Sequence, residues 1–302
     1  MKIFVSGISS VETTLAVKGF PVTYYPVDYP FYGINGYVAG SGYRTACGCK
    51  ALGDDVEFLT LIGDDFGGRR IVEAVRDYGL DDKYIYKPLA ASVESVVLQE
   101  VPFGRRQTYC DLKDVQDKTI DANEFRAAVE ACDVCALCNV NFNRALIPLV
   151  KSLGKPLASD VQALPDVNDE FNAQFIDSAD ILFLSDEEIP NAPEDFMREL
   201  RARCNAKIIV MGMGDDGVLY YDGGTLKKLK AVSVGNVLTG GAGAALFSGF
   251  LHFYGKYDCG EALKRAEIFS ALKLEGNVSG VTATDSFPTE AKVEELARKI
   301  EF

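Results

Sequence analysis

A glycine-rich stretch, Thr239–Ala245, runs directly into an apolar pattern with helical spacing that extends to Tyr254. Glycines therefore open a helix here. The first-turn N–H groups of a helix have no partner within it, and its dipole places partial positive charge at the same end. Such a helix start can bind a phosphate or an anion that develops during a reaction. The residue pattern alone is equally typical of an ordinary glycine-rich turn.

Two other motifs resemble cofactor sites but sit in the wrong context. Gly212–Gly217 has the GxGxxG spacing of a dinucleotide fingerprint, but a strand pattern, Val218–Tyr221, follows it where the fingerprint requires a helix. Cys132, Cys135 and Cys138 have the spacing of iron–sulfur ligands, yet they fall in a buried strand pattern with no nearby fourth cysteine followed by proline. We interpret these cysteines as small apolar residues.

The elements that must position these residues alternate between strand and helix. Short apolar runs predict buried strands at Lys2–Gly7, Glu57–Ile62, Asp133–Val140, Leu157–Asp160, Ile181–Ser185 and Lys207–Met211. Helical patterns lie at Phe66–Tyr78, with Asp64 and Asp65 as caps, and at Ala122–Ala131, Arg144–Leu153, Glu194–Arg203, Ala242–Tyr254, Cys259–Glu275 and Glu290–Ile300. This alternation predicts an α/β fold: a doubly wound, mostly parallel sheet covered by helices.

Two stretches interrupt the alternation: Thr13–Val38, rich in Pro, Tyr and Gly, and Ser92–Leu112, with a turn at Phe103–Arg105. The second stretch has the turn chemistry of a β-hairpin. We expect residues 13–38 and 92–112 to form one small β lid, and residues 1–12, 39–91 and 113–302 to form the α/β domain.

The composition narrows the possible partners and the compartment. The net charge of −13 disfavours nucleic acid and anionic membrane surfaces as partners. No apolar run reaches the ~20 residues of a membrane-spanning helix, and the N-terminal sequence does not have the pattern of a signal peptide. The 8 cysteines of this chain are typical of free thiols, which favours a cytoplasmic location. The lone histidine, His252, lies in an apolar helical stretch and is interpreted as a packing residue.

Taken in order along the chain, these motifs resemble those of the ribokinase-like carbohydrate kinases, the PfkB family. Gly241–Gly243 and the helix after it resemble the family's second signature, and Gly40–Gly53 resembles its first signature. Ser185–Glu188 is similar to the family's N-x-x-E motif, and Gly212–Gly217 to its nucleotide loop. The resemblance extends from residue 3 to about residue 290.

The resemblance implies ATP and Mg²⁺ as cofactors and phosphoryl transfer to the hydroxymethyl oxygen of a sugar or nucleoside. It also implies a homodimer that forms through the lid. The implied substrate-binding residues are Ser10, Glu12, Gly40, Gly42 and Arg44. The implied nucleotide-binding residues are Ser185, Glu188, Gly212, Gly214, Gly217 and Asn277, with Glu188 acting on Mg²⁺ through water. The implied catalytic positions are Gly241, Ala242, Gly243 and Ala244.

The sequence departs from the family pattern at the catalytic base. The family has an aspartate directly after its G-A-G, and this chain has Ala244. A methyl group cannot accept a proton, and loss of a positioned base typically slows a reaction by about 10² to 10⁴. We therefore expect the chain to be catalytically impaired. The loss is either natural or an introduced Asp→Ala change, and we favour the introduced change because the rest of the motif is intact. A non-catalytic sugar- or nucleoside-binding regulatory protein is the alternative function.

Three further departures leave roles open. Arg44 stands where the family's sugar-contacting asparagine would be. It could bind an anionic group of the substrate, or it could turn to solvent or pair with a neighbouring acid. Glu12 replaces the family's usual aspartate and is expected, with Ser10, to receive a diol. Glu188 could organise Mg²⁺-bound water or cap the next helix.

Overall fold

The structure is a computed structural model that describes residues 1–102, 104–233, 238–276 and 287–300. The strands are β1 Lys2–Ser6, β2 Ser10–Val17, β3 Ile34–Ala39, β4 Asp55–Gly63, β5 Ile85–Leu89, β6 Val93–Glu100, β7 Arg106–Asp111, β8 Val134–Leu137, β9 Leu157–Ala163, β10 Ile181–Ser185, β11 Ile208–Gly212, β12 Val218–Asp222 and β13 Thr225–Leu229. The helices are α1 Ser41–Ala51, α2 Phe66–Asp77, α3 Arg126–Ala131, α4 Leu146–Ser152, α5 Ala173–Ser178, α6 Pro193–Arg203, α7 Ala242–Tyr254, α8 Cys259–Glu275 and α9 Glu290–Ala297.

The large sheet has nine strands in the order β13-β12-β11-β10-β9-β8-β1-β4-β5. Every pair from β11 to β5 is parallel, and β12 and β13 are added antiparallel at one edge. The predicted apolar runs supply the parallel strands because a sheet covered on both faces needs apolar residues on both. The expected α/β fold class is confirmed.

Two apolar clusters cover the two faces of this sheet. On one face α3, α4, α5 and α6 contribute Val129, Leu146, Phe175 and Phe196, all at most 1% exposed. On the other face α1, α2, α7, α8 and α9 form the second cluster. Helices on both faces leave the carboxyl edge of the parallel strands as the place where loops meet, which is where ligands bind in such sheets. Within the described part of the chain, the helices are all too short or too polar to cross a membrane.

The small sheet has four strands in the order β3-β2-β6-β7. Strand β2 pairs parallel with β6 and antiparallel with β3, and β6 pairs antiparallel with β7. The two stretches that interrupt the alternation thus meet in one sheet, and β2 already begins at Ser10. Phe103 of the expected hairpin turn lies outside the described residues.

Close backbone contacts fix the helices that border the site. A Cβ atom at Gly42 in α1 would lie 2.5 Å from the carbonyl carbon of Gly7, so only glycine lets α1 approach the end of β1. A Cβ atom at Gly48 would collide with the side chain of Ser248, which holds α1 against α7. Helix α2 is capped by Asp65, whose carboxylate accepts the Gly68 N–H at 2.7 Å.

The expectation that Asp64 also caps α2 is wrong. Its carboxylate instead accepts a hydrogen bond from Lys87 Nζ at 2.8 Å, and this pair holds the pKa of Asp64 below its ordinary value.

Candidate active site

A cavity of about 680 Å³ lies where the carboxyl ends of β9, β10 and β11 meet the start of α7 and the small sheet. Asp160 in β9, Ser185 at the end of β10 and Gly212 at the end of β11 form one wall. Glu12 of the small sheet and the first turn of α7 also line the cavity. The cavity therefore occupies the ligand-binding edge expected of an open parallel sheet.

Most residues that the sequence nominated line this cavity. They are Glu12, Gly40, Arg44, Ser185, Gly212, Gly214, Gly217, Gly241, Ala242, Gly243 and Ala244. The structure thus brings together the segments assigned to substrate, nucleotide and catalysis. Asn277 lies outside the described residues.

Three nominated residues do not line the cavity. Ser10 is buried in β2, between its partners in β3 and β6. Gly42 serves the contact of α1 with Gly7 described above. Glu188 is an exposed residue at the surface with a φ of 68°.

The expected capping role of Glu188 does not match this geometry. The N-cap of the following helix α6 is Ala192, so Glu188 does not cap it. Its neighbour Glu187 lines the cavity instead, where it pairs with Arg106 of β7 at 3.0 Å. The acidic residues of this segment that line the cavity are therefore Asp186 and Glu187.

The start of α7 is open to the cavity. Gly241 is the N-cap in the left-handed region, with a φ of 87°, and the Ala242 N–H donates to the Thr239 carbonyl at 3.2 Å. A Cβ atom at Gly243 would meet nothing within 4 Å, so this part of the helix start faces free space. Ser270 of α8 donates to the Ala242 carbonyl at 3.1 Å and ties the first turn to α8. The arrangement suits an anion beside a helix N-terminus.

The Gly212–Gly217 loop faces the same space but does not open a helix. It forms one 3-10 turn, Gly214–Asp216, and then enters β12, which pairs antiparallel with β11. Gly214 has a φ of 54° and free space on its Cβ side, whereas a Cβ atom at Gly217 would collide with the Leu229 carbonyl. The dinucleotide interpretation therefore fails on structure as it did on sequence.

Glu12 is held by three donors at the other end of the cavity. Tyr37 and Ser95 lie directly opposite it on β3 and β6. Tyr37 donates to Oε1 at 2.5 Å and Ser95 to Oε2 at 3.2 Å, while Arg44 donates to Oε1 at 3.1 Å. Burial, followed by the negative charge of Glu12, raises the pKa of Tyr37, so the phenol stays protonated and donates.

These contacts answer two of the questions the sequence left open. Arg44 pairs with a neighbouring acid, Glu12, and both side chains are only 13% and 14% exposed. The expected diol contact of Glu12 must compete with protein donors, because Tyr37 and Arg44 already occupy Oε1. Ser10, the expected second diol contact, is not at the cavity.

Besides Glu187 and Asp215, three further acidic residues that the sequence reasoning missed line the cavity: Asp160, Asp186 and Glu267. Burial raises the pKa of Asp160 to about 6 and that of Glu267 to about 7, and it also raises the pKa of Asp186. Asp160 could have been noticed, since it ends a predicted strand at the carboxyl edge of the sheet. Glu267 carries no such signal, because it sits inside a helical pattern.

The residues set aside as structural are packed as expected. Cys132, Cys135 and Cys138 are buried, and burial raises the pKa of each thiol to about 12. His252 is 2% exposed, and its Nδ1 lies 2.8 Å from a carboxylate oxygen of Asp54. None of these four side chains lines the cavity.

The architecture is the α/β fold of the ribokinase-like kinases. Acarbose kinase Mak1, a microbiome-derived protein, superimposes with a TM-score of 0.86 at 21% identity over 98% of both chains. Ribokinase from Arabidopsis thaliana, complexed with ribose and ATP, gives a TM-score of 0.76 at 18% identity over 98% of both chains.

The sequence comparisons place the chain within that class. Residues 3–281 match the pfkB family carbohydrate kinases, and the chain belongs to this family. Fructokinase-1 of Zea mays is 26% identical over 287 residues, which cover 86% of this chain and 88% of the fructokinase. The predicted family is therefore confirmed.

Proposed function

We propose that this protein binds ATP with Mg²⁺ and is built to transfer the γ-phosphoryl group to the hydroxymethyl oxygen of a sugar or nucleoside. The observation that carries the proposal is the opening of Gly241–Gly243, at the start of α7, into the cavity that Gly214 and Glu12 also line. Phosphoryl transfer asks the protein chiefly for positioning and for stabilisation of charge. A helix start between a glycine loop and a polar pocket supplies both.

The glycines are suited to the nucleotide phosphates. A side chain at Gly214 or Gly243 would project into the cavity, where it would take the space of a ligand. The Arabidopsis ribokinase, which has the same fold, was crystallised with ribose and ATP. That likeness supports a cavity that holds an acceptor and a nucleotide together.

The acidic lining suits Mg²⁺ that is shared with phosphates. Among the described residues, no three His, Cys, Asp or Glu side chains cluster as a self-sufficient metal site. Mg²⁺ usually takes one or two carboxylates together with substrate phosphates and waters. Asp160 and Asp186 supply carboxylates at the cavity wall, and Mg²⁺ bound there with ATP would neutralise charge on the phosphates.

Position 244 decides whether the chain turns over. The Ala244 methyl lines the cavity beside Gly243, where the family has its proton acceptor. We infer that binding survives and that catalysis is impaired. The same observation favours the second candidate function, a non-catalytic binding protein that regulates through ligand occupancy.

The lid is proposed to carry a homodimer interface. Strands β3 and β7 are its edges, and an exposed strand edge invites pairing or cover. Large apolar side chains before β3 and at its first residue are strongly exposed: Tyr24, Tyr29, Phe31, Tyr32 and Ile34. A second copy of this chain would cover them. A cytoplasmic location stays part of the proposal, supported by eight free cysteines.

Calorimetry with a non-hydrolysable ATP analogue and Mg²⁺ tests the proposal. The chain should bind the analogue, and Gly243→Val should weaken binding at least tenfold because the new side chain fills the cavity. Gly224→Val is the matched control: a Cβ atom there also meets nothing within 4 Å, but Gly224 lies outside the cavity. No affinity in the unmodified chain, or equal affinity in both variants, would contradict the assignment.

A further inference from the structure

Arg44 lies between two parts of the site, Glu12 and the start of α7. One guanidinium nitrogen, Nη2, lies 3.1 Å from Glu12 Oε1. The other, Nη1, lies against Gly241, since a Cβ atom on that glycine would be 3.2 Å from it. Arg44 therefore reaches from the small sheet to the start of α7.

The side chain is fixed before any ligand arrives. Its partner Glu12 is itself held by Tyr37 and Ser95, and the Arg44 guanidinium carbon lies 5.8 Å from the centre of the Tyr37 ring. A planar guanidinium held along one edge keeps its other donors in a fixed orientation. Nη2 faces Glu12, and Nη1 faces Gly241 at the start of α7.

The charges of the cavity make this position distinctive. The described residues that line it include six carboxylates and two cations, Arg44 and Arg106. Arg106 pairs with Glu187, and its side chain is 39% exposed. Arg44, at 13%, is the more buried of the two cations and the one beside a helix N-terminus. An oxyanion in this acidic cavity is best stabilised there.

We propose that Arg44 is a catalytic residue of phosphoryl transfer and that Glu12 is the positioning residue that aims it. This deepens the proposed function and rests on it. The Nη1 edge and the first turn of α7 would contact the oxygens of the moving phosphoryl group as charge redistributes over them.

The step balances with ATP and an alcohol acceptor. A bond forms between the acceptor oxygen and the γ-phosphorus while the bond from that phosphorus to the β-phosphate oxygen breaks, which leaves ADP. The hydroxyl proton passes to water in this chain, and to the carboxylate when Asp stands at position 244. Arg44 takes no part in the proton transfer and contributes only its charge.

Two analogues separate a transition-state contact from ordinary binding. ADP with aluminium fluoride and Mg²⁺ imitates the phosphoryl group in flight, and AMP-PNP imitates bound ATP. Arg44→Met should bind the aluminium fluoride complex about ten- to a hundredfold more weakly, the range expected for loss of a hydrogen bond to a charged group, and AMP-PNP within about threefold. Arg44→Lys should fall between, because it keeps the charge and loses the fork.

The positioning role of Glu12 has its own readout. Glu12→Ala should weaken the aluminium fluoride complex, and Glu12→Gln should restore most of the affinity because its amide oxygen still accepts from Arg44. Arg70→Met, an exposed arginine of α2 paired with Glu73, is the matched control and should bind like the unmodified chain. If Arg44→Met fails to fold, Arg44→Lys and the double variant Arg44→Met/Glu12→Gln, which removes both charges of the pair, carry the test.

Each outcome has a distinct meaning. Unchanged aluminium fluoride affinity in Arg44→Met, or equal losses for both analogues, would overturn the role of Arg44 and leave the proposed function standing. A loss of affinity in Arg44→Met that appears only when an acidic acceptor molecule is present would also overturn the role of Arg44, since Arg44 would then bind the substrate. If the unmodified chain binds neither analogue, the proposed function itself fails and takes this inference with it.

Discussion

Glu267 should make the stability of this protein fall as pH rises through the range where the carboxyl ionises. The side chain is 9% exposed on α8, and burial raises its pKa from an ordinary 4.5 to about 7. The folded state thus holds a proton that the unfolded chain releases at lower pH. Below about pH 4.5 both states are protonated and the group costs nothing; above about pH 7 both are ionised and the whole cost is present.

The magnitude follows from the two pKa values. A carboxyl whose pKa rises from 4.5 to about 7 on folding destabilises the folded state by about 3 kcal/mol at high pH. Glu267→Gln removes the ionisation and keeps an oxygen to accept the Val232 N–H. We therefore expect the variant to be about 2–3 kcal/mol more stable than the unmodified chain at pH 8.5, with the difference vanishing near pH 4.5.

Urea unfolding followed by far-UV circular dichroism is the appropriate assay, since the chain has no tryptophan. Glu130→Gln, at an exposed position of α3, is the matched control and should show no such pH-dependent difference. A gain in Glu267→Gln that is the same at every pH would refute the reasoning, because a packing effect does not titrate. A variant less stable at pH 8.5 would refute it as well.

Three further outcomes are expected. Gly217→Ala should lower the free energy of unfolding by about 1–3 kcal/mol in urea titrations, because its φ of 87° and the Leu229 carbonyl both exclude a Cβ atom; stability equal to the unmodified chain would contradict this. A thiol reagent should modify Cys110 in the native protein long before any other cysteine, since the other seven are buried; rapid modification at several sites would contradict it. Sedimentation should find a dimer that Phe31→Ser weakens, as Phe31 is 86% exposed; a monomeric unmodified chain at high micromolar concentration would contradict the lid interface.

The parts of the fold set by local patterns were predictable. The strand expected at Ile181–Ser185 and the helix expected at Ala242–Tyr254 have those same bounds in the structure. Both are long enough and apolar enough that periodicity and glycine boundaries decide the element. The same local signal predicted that glycines open α7, but it left an anion site and an ordinary glycine-rich turn equally open, and the family resemblance decided between them.

The site contacts that depend on distant segments were not predictable. Glu12 meets Ser95, 83 residues away, only because β2 pairs in parallel with β6 in one particular register. The pairing of Arg44 with Glu12 depends on the same sheet. Glu187 rather than Glu188 lines the cavity, and Glu188 has a positive φ, a backbone state with no reliable sequence signal outside glycine.

The most direct test of a kinase built on this scaffold is the rate of phosphoryl transfer after Ala244→Asp. Production of ADP would be measured against a panel of sugars and nucleosides, with the unmodified chain and the near-isosteric Ala244→Asn as controls that lack a carboxylate base. We expect at least one acceptor with a hydroxymethyl group to be phosphorylated about 10² to 10⁴ times faster by Ala244→Asp than by either control. No phosphorylated product with any acceptor would contradict the account and leave the non-catalytic binding protein as the better description.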